Sequence, residues 1–324
     1  MSSINRRIFV SSLGLPALPL ASKSFAAPSA KPLYIYVPAP PGGGTDMAAR
    51  ALGQAITKQQ GRTVIIENRP GAFGMIAAQG AMRAPADGNT LLITHTAAIL
   101  LPAMQRNLLV DVTREFQPVS MVCTSSNLLI CPSKLGVRNL AEFLDWAKGK
   151  PDGASVGSFG TGSTSHINVE LLKKTLQGKV THIPFQGSSP LLQALIGGQL
   201  DAGFNERATM LGHVKNPAIK VLATTGESRS SQLPEVQTMK EAGYAGFEPA
   251  GFIALFAPAK VAPEVVADLS SKIQDLYQDE GLRNALQTLG FTPQNASASG
   301  LAELISRDRP KWESVIRDSN IRID

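Results

Sequence analysis

The sequence predicts an α/β architecture in two lobes, each a largely parallel sheet covered by helices. Two observations carry that prediction. Short apolar runs alternate with helically spaced segments along most of the chain, the pattern of strand–helix–strand units. The length, 324 residues with 43% hydrophobic composition, suits two domains of ordinary size. The 29 Gly and 22 Pro are dispersed rather than tandem, which excludes collagen-like and disordered chains.

The first segment, residues 1–26, reads as a signal peptide. It carries Arg6, Arg7 and Lys23 with no acid, then a short apolar run through Leu20, then the small-residue end Ser24-Phe25-Ala26. Pro16 and Pro19 interrupt that run, which falls short of the roughly 20 apolar residues needed to span a bilayer. Asn5-Arg6-Arg7-Ile8-Phe9-Val10 is similar to a twin-arginine motif, with Asn for the usual Ser/Thr and Val for the usual Leu, so general secretion and the twin-arginine route both stay open. Removing the segment takes three cations from the 31 Lys and Arg. The remaining 28 face 25 acids, and the formal +6 becomes +3.

The fold elements follow in order. Leu33–Val37 reads as a strand, and Thr45-Asp46 opens a helix over Met47–Gln59 with Ala48, Leu52, Ala55 and Ile56 on one face. Thr63–Glu67 is the next strand, Met75–Arg83 a small-residue helix, and Thr90–Thr94 a third strand. A second series begins with strand Asn127–Cys131 and helix Leu140–Lys148. Strand Ser155–Ser158, helix Ile167–Leu176, strand Val180–Pro184 and helix Pro190–Ile196 continue it. Strands Asp201–Phe204, Lys220–Thr224 and Phe252–Phe256 come next, then the amphipathic helix Pro263–Asp279 and a helical tail over Leu301–Asp318. Cys123 and Cys131 would stand about 26 Å apart on a continuous strand. That exceeds disulfide reach, so two buried thiols are expected unless Thr124–Asn127 turns the chain back.

Chemistry-bearing motifs are sparse. The chain has no phosphate-loop motif, no H-E-x-x-H and no C-x-x-C, and two cysteines exclude a four-thiolate zinc site. His95, His166, His182 and His213 show no metal-ligand spacing, so no metal and no cofactor is expected. With 6% aromatics and scattered cations the chain lacks the stacking platforms and basic stripes of nucleic-acid binders.

Five loops remain, each between a strand and a helix. Pro40–Asp46 offers three glycines whose N–H groups can approach a ligand, followed by a helix start with unpaired donors. Its Gly42, Gly43, Gly44 and Thr45 read as anion-binding backbone. Asp46 reads as a cap, because a carboxylate repels an anionic guest. Asn68–Gly74 is the second loop, where Phe73 packs either on a ligand or over the core. Thr94–Ala97, with His95, is the third. Ser158–His166 is the fourth, with five hydroxyl residues in nine positions, including Ser158, Thr161, Ser163 and Thr164. Gln186-Gly187-Ser188 in the fifth again precedes a helix. In open α/β sheets ligands bind beyond the carboxyl ends of the strands, so all five loops can face one crevice.

At Lys31–Asp46, Glu67–Ala72, Gly157–His166, Ile183–Ser188 and Leu233–Val236 the chain resembles the Bug family of periplasmic solute receptors, from Lys31 to the C-terminus. The resemblance implies a type II periplasmic binding protein fold, two α/β lobes joined by two crossover strands near Ser125 and Gly251 that serve as a hinge. Lobe 1 would comprise 27–125 plus 252–324, and lobe 2 would comprise 126–251. It also implies a periplasmic, non-enzymatic, monomeric Venus-flytrap receptor. Its ligand would be a small mono-, di- or tricarboxylate, and its partner a tripartite tricarboxylate-type permease or a sensor. Carried over by position, the ligand groups are Gly42–Asp46, Ala72, Phe73, Ser158, Ser163, Thr164 and His166, with Gln186, Gly187 and Ser188 from the second lobe. Three departures stand out: Asn205-Glu206 where Asp-Asn is usual, Phe73 where Gly is common, and Phe252 for a frequent Trp. A neutral Asn205 in the cleft weakens the case for an amino-acid ligand. The competing expectation is an exported serine hydrolase using Ser163 or Ser165 with His166 or His182.

Overall fold

The computed structural model describes residues 31–247 and 251–323, so the expected signal segment lies outside the described residues. Within them, strands form two sheets. The first half supplies β1 (Leu33–Val37), β2 (Val64–Asn68), β3 (Thr90–His95), β4 (Phe116–Ser125), β5 (Asn127–Pro132) and β6 (Ala154–Ser158). The second supplies β7 (Val180–Pro184), β8 (Ala202–Glu206), β9 (Ile219–Thr224), β10 (Gly251–Pro258) and β11 (Thr292–Ala296). One sheet has the order β11-β4-β10-β3-β1-β2 and the other β7-β6-β8-β5-β9.

Each sheet is parallel only in part. β2, β1 and β3 run parallel, as do β7, β6 and β8, but β10, β4, β11 and β5, β9 pair antiparallel. The reason is connectivity. The chain leaves the first sheet at Ser125 and enters the second at Asn127, and it returns only at β10, where Gly251 pairs with Ser125.

Cores form on both faces of both sheets. Helices Gly44–Gln60, Pro263–Asp275 and Glu280–Thr288 bury Leu52, Ile56, Leu269 and Leu286 on one face of the first sheet. On the other face Ala77, Ile99 and Leu301 meet Leu92, Met121 and Phe256. In the second sheet Phe143, Leu144 and Leu172 cover one face, and Leu191 and Leu195 cover the other. A fully buried side chain of this kind contributes about 1.5–3 kcal/mol of transfer free energy. The C-terminal segment ties the sheets together, because Trp312, Ile316, Ile321 and Ile323 pack on Leu100, Leu101 and Met104 of the first and Ile167 of the second.

Four elements of five residues or more escaped the sequence reading. β4 carries Pro118 in its interior and no polar–apolar alternation. Its register against β10 skips Val119 and Val122, so two bulges accommodate the proline and hide the period. Helix Thr96–Met104 is apolar all round and contains Pro102, so it reads as a loop followed by an apolar run. Helix Glu280–Thr288 starts anew after a 3-10 turn, with the Asp279 side chain accepting from the Gly281 N–H at 2.7 Å. β11 is mostly exposed and pairs irregularly at the sheet edge.

Cys123 on β4 and Cys131 on β5 are both free and fully buried, one in each sheet. Thiol titration with an aromatic disulfide reagent should therefore count no reactive thiol in the native protein and two after denaturation. A fast native reaction would contradict this packing. No helix among the described residues is long and apolar enough to cross a membrane.

Candidate functional site

Two adjoining cavities lie between the loops of the two sheets. One, of about 320 Å³, is lined by Gly44, Thr45, His95 and Thr96 from the first sheet and by Ser163, Thr164, Gly187, Ser188 and Glu206 from the second. The other, of about 470 Å³, is lined by Phe73, Thr161, Gln186 and again His95, Ser163 and Gly187. The crossing residues Ser125, Asn127 and Gly251 form part of the wall of the smaller one.

Three of the helices that begin at these cavities lack a side-chain cap. Their N-caps are Gly43, His95 and Gly187, none of which makes a capping hydrogen bond. Helices that start elsewhere on Asn139, Asp279 and Ser297 are each capped by that side chain. An uncapped helix start presents several N–H donors and the positive end of its dipole. The Glu206 carboxylate stands at the start at Gly44, and the other two, at His95 and Gly187, form a binding environment for an anion that needs no cationic side chain.

The remaining expected residues build the loops rather than face the cavities. Asp46 is 1% exposed and accepts from the Gly42 N–H at 2.8 Å, Arg50 Nε at 2.9 Å and Asn68 Nδ2 at 2.8 Å. Burial alone would raise its carboxyl, but these donors outweigh burial and hold it below the usual range. It thus braces the glycine loop from behind. Gly43 bonds back to Pro40 O, and Gly42 takes a left-handed φ of 82° that only glycine adopts cheaply.

The hydroxyl-rich loop is largely self-satisfied. Ser163 donates to Gly160 O at 2.6 Å and caps the helix Thr164–Thr175. Ser165 accepts from the Phe159 N–H at 2.9 Å, and Thr164 accepts from Asn127 Nδ2 at 3.2 Å. Ser158 is fully buried and pairs with His182 Nε2 at 2.7 Å. His166 Nδ1 accepts from the Gly162 N–H at 3.1 Å. Ser158 and His166 line neither cavity, nor do Gly42, Gly43, Ala72 and Asn205. Asn205 is fully buried. Its amide donates to Ser188 O at 3.0 Å, and its Oδ1 accepts from the Glu206 N–H at 2.9 Å.

His166, Glu170 and His182 bring one ligand atom each within 4.8 Å of one another. The two imidazoles, however, stack face to face, with centroids 3.9 Å apart and planes 15° from parallel. Their in-plane lone pairs run side by side instead of converging on one ion. Burial and the neighbouring His166 lower His182 to about 4, so it is neutral at ordinary pH. Burial lowers His95 as well, so the cavity rim carries no imidazolium.

Over residues 48–321 the chain matches the family described as the tripartite tricarboxylate transporter family receptor. The chain belongs to that family. BugT of Bordetella pertussis is 29% identical over 98% of this chain and 96% of its own length. The structure of the periplasmic binding protein BugD superposes with a TM-score of 0.77 at 26% identity, covering 90% of this chain and 98% of that one. The R. palustris protein Rpa4515, solved with adipate, reaches 0.80 at 27% identity over 90% and 97%. The resemblance to Bug receptors and the two-lobed periplasmic binding protein fold it implies are therefore those of this tricarboxylate-type receptor.

One departure from the family pattern gains a physical meaning here. Gly71, Ala72, Phe73 and Gly74 all have positive φ, at 118°, 47°, 53° and 92°. A left-handed conformation costs a residue with a side chain about 1–2 kcal/mol, so the backbone at the position of Phe73 is one that favours glycine. Phe73 is 52% exposed and lines the larger cavity, so its ring covers the cleft and not the core. Residues the sequence reading missed are Ser125, Asn127, Thr96 and Glu206. The first two lie on the crossing into β5. Glu206 shares strand parity with the buried Ala202 and Phe204, so the sequence pattern points it at the core and the structure alone puts it on the cavity.

Proposed function

We propose that this protein is an exported, periplasmic receptor that closes its lobes, 27–125 plus 252–324 and 126–251, on a small organic carboxylate. It then presents the closed form to membrane permease subunits or a sensor. The observation that carries this reading is the convergence of uncapped helix starts from both sheets, at His95 and Gly187, on one pair of adjoining cavities. Family membership and a carboxylate-bound neighbour support it. The crossings at Ser125–Asn127 and at Gly251 are the hinge, and closure sequesters the ligand from water.

The receptor performs no chemistry. Among the described residues the close serine–histidine side-chain contact, Ser158 with His182, holds a serine that is fully buried and lines neither cavity.

Thermal-shift titration with mono-, di- and tricarboxylates tests the reading. A ligand at 100 times its dissociation constant adds about 2.7 kcal/mol of stability. That amount should raise the melting temperature by roughly 5–10 °C in a chain of this size. Ligand-free protein that no carboxylate stabilises would sink the proposal.

A further inference from the structure

The smaller cavity contains a charge that the anion reading does not use. Glu206 ends β8, and its carboxylate projects to the start of the helix Gly44–Gln60. A Cβ on Gly44 would lie 3.1 and 3.2 Å from its two oxygens. Ser125 Oγ donates to Glu206 Oε1 at 3.2 Å, and the Asn205 side chain holds the Glu206 N–H in place. Among the described residues no lysine or arginine forms an ion pair with it. Arg207, next in sequence, is turned away, and its guanidinium donates to Gly290 O at 2.9 Å and Thr292 Oγ1 at 2.7 Å. Neither cavity is lined by any other Asp, Glu, Lys or Arg.

The cleft therefore offers neutral donors on several sides and one carboxylate with no protein cation. A carboxylate withdrawn from water is costly unless it is paired. Burial does raise the Glu206 carboxyl above its usual range, and the Ser125 hydrogen bond offsets only part of that. A dicarboxylate placed here would add a like charge at close range, in a setting of reduced dielectric. The helix start at Gly44 offers the Glu206 carboxylate only a partial positive charge, and a cationic nitrogen on the ligand would supply a full one.

Building on the receptor reading, we propose that Glu206 selects for ligands carrying both a carboxylate and an ammonium group. The ammonium sits between Glu206 and Ser125. The ligand carboxylate takes the uncapped helix starts at His95–Thr96 and Gly187–Ser188 across the cavity. The acidic partner for an amine, which Asn205 fails to provide, is thus furnished one residue later by the side chain that faces the cleft.

Calorimetric titration of the purified protein with chain-matched pairs tests this. The probes are 6-aminohexanoate against adipate, 4-aminobutanoate against succinate, and α-amino acids against the corresponding 2-hydroxy acids. The wild type should bind at least one amino carboxylate about 10-fold or more tightly than its matched counterpart. Glu206→Gln, which keeps an acceptor for Ser125, should lose about 30-fold or more of that affinity, while affinity for the matched dicarboxylate holds or rises. Glu206→Asp, which withdraws the carboxylate without removing it, should weaken the amine ligand yet keep its preference, and serves if the glutamine variant fails to fold. Dicarboxylate binding without amino-carboxylate preference, or a preference unmoved by Glu206→Gln, overturns this inference and leaves the receptor reading standing. Absence of binding by every probe overturns both.

Discussion

Gly290→Ala should destabilise the protein by about 2–5 kcal/mol, combining a left-handed backbone cost with an overpacked contact. Gly290 has φ 86° and closes the helix Glu280–Thr288. Its N–H bonds Gln287 O at 2.8 Å, and the Phe291 N–H bonds Leu286 O at 3.0 Å, the paired closure of a Schellman motif. A Cβ there would meet Ala208 Cα at 2.6 Å and Ala208 N at 3.2 Å. Ala208 follows β8 in the second sheet, so the contact is between the two halves of the molecule, and backbone cannot step aside as a side-chain tip can. The Gly290 carbonyl also receives Arg207 Nε at this point. A fall in melting temperature on the order of 10 °C is expected. Gly61 is the control. It also ends a helix with positive φ, at 65°, but has open space where its Cβ would go. Gly61→Ala should therefore cost only the backbone component, about 1–2 kcal/mol. Equal losses in the two variants would show that the contact between the sheets contributes nothing.

Phe204→Ala should cost about 3–5 kcal/mol, the range for truncating a large aromatic in a core that cannot collapse around the gap. Phe204 is fully buried on β8, the middle strand of the second sheet, and stacks on Phe247 with centroids 6.0 Å apart. It lies two residues before Glu206 on the same side of the strand, so loss of its packing should loosen the cleft as well as the core. Phe73→Ala provides the contrast. The Phe73 ring is half exposed, so its removal should change stability by no more than about 0.5 kcal/mol and act instead on ligand affinity. Urea unfolding of both variants, with binding measured in parallel, separates the effects. A Phe204→Ala variant as stable as wild type would mean that the second core tolerates the void.

Much of the architecture could be read locally. β1, β3 and β7, together with the helices Met75–Arg83 and Leu140–Gly149, match their predicted spans to within one residue, because each is bounded by turn residues and carries a clear period. The Gly- and hydroxyl-rich loops were likewise visible, since strained turns and helix starts demand those residue types wherever they occur. The elements that stayed hidden owe their form to partners far along the chain. β4 is a strand because β10 and β11 flank it on either side, with bulges that absorb Pro118. Helix Thr96–Met104 is sheltered on all sides, so it shows no amphipathic period to detect.

The candidate site divides in the same way. Sequence alone determined which loops are rich in backbone donors, and hence which parts of the chain can receive an anion. Only the tertiary structure decided which residues of those loops line the cavities. Asp46, Ser158, Ser165 and His166 are consumed by protein neighbours in their own or adjoining segments, while Thr96, Ser125, Asn127 and Glu206 line the cavity. The physical reason is that a donor is available to a ligand only if no neighbour satisfies it. Such neighbours are set by pairings such as Gly251 with Ser125, across more than a hundred residues of chain.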